Sequence, residues 1–164
     1  MGKRSSFKRA SHDDYPTPYE AVQPLLPFLD DRLIVEPCPG EGLLVKHLKR
    51  AGFHVTGVAG DARRARYSIV PERDIFVTNP PWSLELLHPI IINLSDQATT
   101  WLLLGADFAH LKAAIPLRNR LHSIVSVGRV QWFPGSRHSS LDNAAWYRFD
   151  PPGKRVFARF YGRR

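Results

Sequence analysis

The sequence predicts an α/β fold, with a mostly parallel central sheet, helices on both faces and an antiparallel C-terminal edge. Three observations predict it. Short apolar strands alternate with helix-spaced segments through the first two thirds of the chain. The last apolar segments follow one another with no helix between them. The two most unusual loops, residues 36–42 and 79–82, both begin where a strand ends, which is where open α/β sheets bind ligands.

The elements follow in order. Thr17, Pro18 and Glu20 form a helix-start signature, with Thr17 as cap, Pro18 at the first helical position and Glu20 closing a capping box. Val22, Leu25, Leu26 and Leu29 then form an apolar stripe, but Pro24 and Pro27 keep this helix short or kinked. Residues 33–35 are a buried strand leading into the loop 36–42. Residues 43–51 are helical, with Leu44, Val45 and Leu48 inward and Gly52 as the stop. Strands are expected at 54–58 and 74–78, with a vestigial one at Ile69 and Val70 between them. Residues 84–94 are helical, interrupted by Pro89, and 101–104 are a strand. A helix is expected near 110–120, and strands near 124–127, 130–133 and 144–149.

Length and composition set the frame. The chain has 164 residues, 43% hydrophobic and 23% charged, which suits one globular domain. The reading divides it into a basic mobile arm (1–14), a single domain (15–152) and a basic tail (153–164). No apolar run is long enough for a membrane span, and no secretory signal is visible at the start, so a cytoplasmic location is expected. Cys38 is the only cysteine, which excludes an internal disulfide and a cysteine-built zinc site. The histidines lack metal-ligand spacing, so no metal is expected.

The charge is unevenly distributed. The chain carries +8, with Lys3, Arg4, Lys8 and Arg9 in residues 1–12 and Lys154, Arg155, Arg159, Arg163 and Arg164 in residues 153–164. Neither end segment contains an acid, so the 140 residues between them net −1. Basic ends of this kind attract polyanions, nucleic acid above all, although they also serve solubility.

Two loops carry the chemistry. Gly40 and Gly42 let a ligand approach the backbone closely, but Val45 stands where a dinucleotide-binding loop would have its third glycine. Glu36, at the end of the strand, would repel a pyrophosphate and suits a ligand bearing an amine or a positive charge. A plain tight turn is the alternative. In the second loop, Pro80 and Pro81 stiffen the chain and remove two backbone donors. The Asn79 side-chain oxygen and the Pro80 carbonyl can then accept both hydrogens of one amino group, and Trp82 offers a face for a base. The alternative is a rigid loop with a core tryptophan. Cys38 reads as a small filler, and Arg63, Arg64 and Arg66 as a solvated face. The polar loop 134–141, with Arg137 and His138, reads equally as a phosphate contact or a plain hairpin loop.

Taken in order, Y-x-T-P from Tyr15, E-P-x-x-G-x-G from Glu36 and N-P-P-W from Asn79 resemble the class I S-adenosylmethionine-dependent methyltransferases. Within them the pattern most resembles the small phage-type DNA adenine-N6 methyltransferases, over roughly residues 14–150, and the segment 142–147 is similar to that subgroup too. The resemblance implies a Rossmann-like methyltransferase fold, S-adenosylmethionine as cofactor and DNA as partner. It implies a catalytic set of Asn79, Pro80, Pro81 and Trp82. It implies a cofactor set of Tyr15, Thr17, Pro18, Glu36, Pro37, Gly40, Gly42, Asp61 and Asn79, with Glu36 facing the cofactor's amino group. The family's ribose-binding acid falls at Ala59 here, and the nearest acid is Asp61, displaced by two residues. Ile69, Val70 or Glu72 would line the adenine pocket. Two other readings stay open. One is a related substrate, RNA adenine or a protein glutamine amide. The other is a degenerate fold that binds nucleic acid without turnover.

Overall fold

The computed structural model describes residues 15–132, 143–153 and 158–162. The N-terminal arm, the loop 134–141, Asp142 and, within the tail, residues 154–157 and 163–164 lie outside the described residues.

The chain starts with a short helix α1 (Tyr19–Val22), continued by a 3-10 segment (Gln23–Phe28). Strand β1 (Leu33–Glu36) and helix α2 (Leu43–Arg50) follow, then β2 (Val55–Gly57), β3 (Asp74–Thr78) and helix α3 (Leu84–Ser95). The last strands are β4 (Thr100–Gly105), β5 (Leu121–Arg129), β6 (Asn143–Phe149) and β7 (Arg159–Tyr161). They form one seven-stranded sheet in the order β2-β1-β3-β4-β6-β5-β7. β1, β2, β3 and β4 are parallel, β6 is antiparallel to both β4 and β5, and β7 is parallel to β5. The sheet is therefore mostly parallel, and β6 is its reversed strand.

Period-2 alternation sorts the strand residues onto two faces. Ile34, Ile75, Val77, Trp101 and Leu103 join α1 and α2 in one core, with Leu44 and Leu48 among its buried residues. Val35, Phe76, Leu102 and Leu104 join α3 in the other, against Leu87, Ile90, Ile91 and Leu94. Trp146 is fully buried in the first core, and its Nε1 donates to Ala21 O at 2.7 Å, tying β6 to α1.

Several expectations are corrected. The helix-start signature marks the right place, but the capping box does not form, and no side chain caps α1. Glu20 Oε1 instead accepts from Gln131 N (2.9 Å), across the fold. α3 runs through Pro89 unbroken. The expected helix near 110–120 is replaced by two 3-10 segments, Phe108–His110 and Lys112–Leu117, the second containing Pro116. The strand expected near 124–127 lies within the longer β5. The one expected at 130–133 is not formed over residues 130–132, and Phe133 lies outside the described residues. β7 was not foreseen.

The vestigial third strand is absent: residues 58–73 form turns and irregular backbone. Two α3-side amides hold part of this segment in its place. Asn93 Nδ2 donates to Ala62 O (3.0 Å) and Ala65 O (2.9 Å). Gln97 Nε2 donates to Ala65 O (3.1 Å), and its Oε1 accepts from Tyr67 N (3.1 Å). A side-chain clamp thus satisfies backbone groups that a sheet ladder would otherwise pair.

Candidate active site

The order of the sheet places the two unusual loops side by side. β1 pairs with both β2 and β3, so the chain reverses its winding between β1 and β3. The loop 36–42 leaves the carboxyl end of β1 and the loop 79–82 leaves that of β3. This is the switch-point crevice where doubly wound sheets bind ligands.

The first loop turns tightly into α2. Gly42 N donates to Pro39 O (2.7 Å), and Gly42 has φ 77° with open space around an added Cβ. Glycine is needed there for its backbone, not for room. Gly57 in β2 has the opposite reason. An added Cβ would stand 3.2 Å from Pro39 Cβ and 3.3 Å from Val45 Cγ2, so its absence lets the loop and α2 pack onto the strand.

Tyr15, Pro16, Thr17, Glu36, Cys38, Pro39, Gly40, Glu41, Leu43, Leu44 and Asn79 line an open cleft of about 270 Å³. Five of the residues singled out in the sequence therefore meet in one place: Tyr15, Thr17, Glu36, Gly40 and Asn79. Pro18, Pro37, Gly42, Asp61, Pro80, Pro81 and Trp82 do not line it. Pro18 is the α1 N-cap, Gly42 the α2 N-cap, and Pro80 is buried.

Glu36 is 1% exposed. Its Oε1 accepts from Cys38 N (2.9 Å), and its Oε2 has no hydrogen-bond partner. Burial pushes its carboxyl up to about 8, opposed by the nearby Thr78 hydroxyl and by Cys38 N–H. The Thr78 hydroxyl is itself buried and outside hydrogen-bond geometry. Burial, and then the Glu36 charge, push the Cys38 thiol up to about 12, which makes it a poor nucleophile. A buried acid with an unused oxygen at the cleft floor suits a cationic or amine-bearing ligand.

Asn79 is oriented by its neighbours. Its Nδ2 donates to Tyr15 O (3.0 Å) and Thr17 Oγ1 (3.2 Å), which fixes Oδ1 as the acceptor. Trp82 Nε1 donates to Leu103 O (2.9 Å) and to Asn79 Oδ1 (3.2 Å). Trp82 is thus pinned to β4 and to Asn79, and its indole is partly buried against both cores.

Asp61 is engaged elsewhere. Arg63 grips it through Nε (2.8 Å) and Nη2 (2.9 Å), and Arg64 Nε stands 3.0 Å away. The hydrogen bonds from Arg63, with the charges of both arginines, hold its carboxyl down at about 2.

Residues that sequence reasoning passed over also stand here. Trp132 lies 5.6 Å from Trp82, edge-on at 84°, and 5.7 Å from Tyr15. Tyr67 sits edge-on to Phe76 at 5.0 Å, with its hydroxyl buried and unpartnered. Trp132 follows β5 at the same edge of the sheet, the one usable signal, but no spacing pattern marked it.

No family model and no curated protein matches the sequence. Solved structures do match. A candidate RNA methyltransferase from Pyrococcus horikoshii is 15% identical, covers 94% of this chain and 95% of its own, and has a TM-score of 0.54. The fold is the Rossmann-like methyltransferase fold. A TehB-like SAM-dependent methyltransferase from Corynebacterium glutamicum is 16% identical, covering 80% of this chain and 87% of its own at a TM-score of 0.52. A dimethyladenosine transferase from Plasmodium falciparum is 14% identical, covering 85% and 63% at 0.51. Within this methyltransferase fold, the cleft between β1 and β3 is the candidate active site. Among the described residues no group of His, Cys, Asp and Glu could hold a metal ion, and no helix is long and apolar enough to cross a membrane.

Proposed function

We propose that the chain is an S-adenosylmethionine-dependent methyltransferase acting on the N6 amine of adenine in DNA, of the small phage-like type that its N-P-P-W motif resembles. The observation that carries this reading is the orientation of Asn79, whose amide nitrogen is consumed by Tyr15 and Thr17 so that its oxygen is the acceptor beside the cleft. The fold neighbours add support, since those named above include methyltransferases and a dimethyladenosine transferase.

The residues present fit the cofactor. The orphaned Glu36 Oε2 at the cleft floor suits the ammonium of its methionine part, which would draw the carboxyl into its ionised form. Tyr15 and Thr17 border the same cleft, and Gly40 leaves the loop backbone approachable. When bound, S-adenosylmethionine supplies a methyl group already activated on a sulfonium sulfur, so the chain's task is orientation.

Asn79 Oδ1 and the Pro80 carbonyl accept the two hydrogens of the target amine. That pairing draws the nitrogen lone pair out of conjugation with the ring and aims it. The proton lost from the amine passes to solvent. Because that amine is inaccessible in a paired base, the adenine must be flipped out or lie in a single strand. The basic ends, Lys3 to Arg9 and Lys154 to Arg164, supply sequence-independent attraction to the phosphate backbone.

The degenerate reading has one specific observation behind it: Asp61, the candidate ribose acid, is held by Arg63 and Arg64. Transfer of labelled methyl groups to DNA, RNA and glutamine peptides, with the product nucleoside identified, separates the readings. N6-methyladenine in DNA supports the first. Calorimetric binding of cofactor and DNA with no transfer supports the second.

A further inference from the structure

Helix α3 is built the other way round from a solvent-facing helix. Its polar residues Asn93 and Ser95 are buried, while Leu84 and Ile92 are 43% and 41% exposed. Leu84, His88 and Ile92 recur every four residues and so share one stripe of the helix. Glu85 is the only charged residue within it. α2 shows what this chain does with a helix face left to water: its exposed residues are Lys46, Lys49 and Arg50, all of them charged. A helix that is apolar on both sides is a buried helix. The inner side of α3 is already taken by the sheet, through Leu87, Ile90, Ile91 and Leu94. The outer stripe calls for a second surface.

More apolar side chains are exposed on the segment that meets the C-terminal end of α3. Arg120 makes that connection, its Nη1 donating to Asp96 Oδ1 (2.6 Å) and Ser95 Oγ (3.0 Å). Ahead of it, Ile115 is 53% exposed and Leu111 37%.

The charges say what the second surface is. The first turn of α3 carries an acid, Glu85. The far end is flanked by bases on both sides. Arg118 is exposed two residues ahead of Arg120, and Arg66 is exposed next to Ala65, whose carbonyl Asn93 and Gln97 hold. Asp96, the acid at that end, is already paired with Arg120. A two-fold axis crossing the helix turns two copies of α3 antiparallel, so that each acidic end meets a basic one. A parallel pairing would bring like charges together.

We propose that the outer face of α3 is a dimer interface, in which two copies of the chain pack α3 against α3 antiparallel, Leu84 and Ile92 forming the apolar seam and Glu85 facing Arg118 of the other copy. The inference does not depend on the methyl-transfer reading. The candidate cleft lies on the opposite, α1–α2 side of the sheet, so both copies keep it open. A contact centred on one 12-residue helix per chain falls short of the ~800 Å² per partner of a standard interface, so the dimer is a dissociating one.

The test is sedimentation equilibrium on the full chain, freed of nucleic acid, over a wide concentration range, with circular dichroism to check folding. The parent is expected to pass from one chain mass to twice that mass as concentration rises. Ile92→Arg and Leu84→Arg are expected to stay monomeric throughout, and Lys46→Glu, on the exposed face of α2, to dimerise like the parent. Glu85→Arg, which turns attraction into repulsion twice over in a symmetric contact, is expected to weaken the dimer about 10-fold. Adding Arg118→Glu to it is expected to restore the dimer. A parent that is monomeric at every concentration overturns the inference and leaves the stripe to a different partner. So does a dimer that survives both Ile92→Arg and Leu84→Arg, or a Glu85→Arg variant that associates as tightly as the parent or is not rescued by Arg118→Glu. If both arginine variants of the stripe unfold, Leu84 and Ile92 serve the fold of one chain and the inference fails.

Discussion

The Thr17 hydroxyl accepts a 3.2 Å hydrogen bond from Asn79 Nδ2 across 62 residues of sequence. Thr17 therefore helps to orient the Asn79 amide, even though its sequence context reads as a helix cap. Asn79→Ala is expected to slow methyl transfer about 10²–10³-fold, the cost of one preorganised polar contact. It also releases Tyr15 O and Thr17, so a modest loss of cofactor affinity should accompany it. Thr17→Val should lower transfer by less, and Thr17→Ser should restore it. Single-turnover transfer to an adenine oligonucleotide, beside cofactor titration, checks the order.

Glu36 predicts a pH signature. Its carboxyl is raised from 4.5 to about 8 in the folded chain. Between those values the folded state holds a proton that the unfolded state has lost, so stability falls as pH rises through this window and levels off above about 8. Glu36→Gln cannot titrate there. The melting-temperature difference between variant and parent should therefore shift in the variant's favour from pH 5 to pH 8. A flat difference would show that Glu36 is already ionised in the folded chain.

Asp61 and Arg63 give a paired test. If Asp61 binds the ribose, it must leave the grip of Arg63. Asp61→Ala should then weaken cofactor binding several-fold, losing a hydrogen bond to a charged group, and Glu72→Ala should do so less. Arg63→Gln should strengthen it. Held at about 2, the Asp61 carboxyl contributes no pH dependence to cofactor binding above pH 4. Equal affinity in Asp61→Ala and parent would remove Asp61 from the site.

Trp82→Phe keeps a ring but loses the indole N–H that serves Leu103 O and Asn79 Oδ1. Leaving the Leu103 carbonyl unpaired should cost about 1–3 kcal/mol of stability. Transfer should also slow, because Asn79 loses one of its restraints. Chemical denaturation and single-turnover kinetics on the same variant separate the two effects.

Asn93→Ala removes the donor to two backbone carbonyls, Ala62 O and Ala65 O. A loss of about 1–3 kcal/mol is expected. Amide exchange should accelerate in residues 61–70 before it does in β3. Uniform acceleration throughout the chain would mean that the clamp holds the whole fold and not this segment.

Much of the sheet was legible because the signals were local and periodic. Asp74–Thr78 was read to the residue, since its short apolar run Ile75-Phe76-Val77 stops at the Asn79-Pro80-Pro81 loop. The lost third strand was suspected from its short apolar run, but its replacement by Asn93 and Gln97 was not legible, because polar residues on a helix normally read as solvated. The convergence of Glu36, Gly40 and Asn79 on one cleft followed from strand ends, which sequence pattern marks well, whereas Tyr15 and Thr17 were named only through the family resemblance. Asp61 was read from the family resemblance as the acid nearest the expected ribose position, and that carries no information about the competing arginines two and three residues on. Trp132 was missed because its contacts are with residues 50 and 117 positions away. β7 was missed because a three-residue strand carries no period.

Losing the third strand makes β2 the outermost strand on one side, and β7 is outermost on the other. Each is three residues long. An open edge is a template on which a second chain can add a strand, and the risk grows with the length of flat backbone exposed. Brevity at both flanks limits that template to a few amide groups. β7 also carries Arg159, so like charges meet when two copies approach along that side. The sheet is long and continuous in its middle, where the cleft needs rigidity, and cut short at its margins, where continuity would invite self-association.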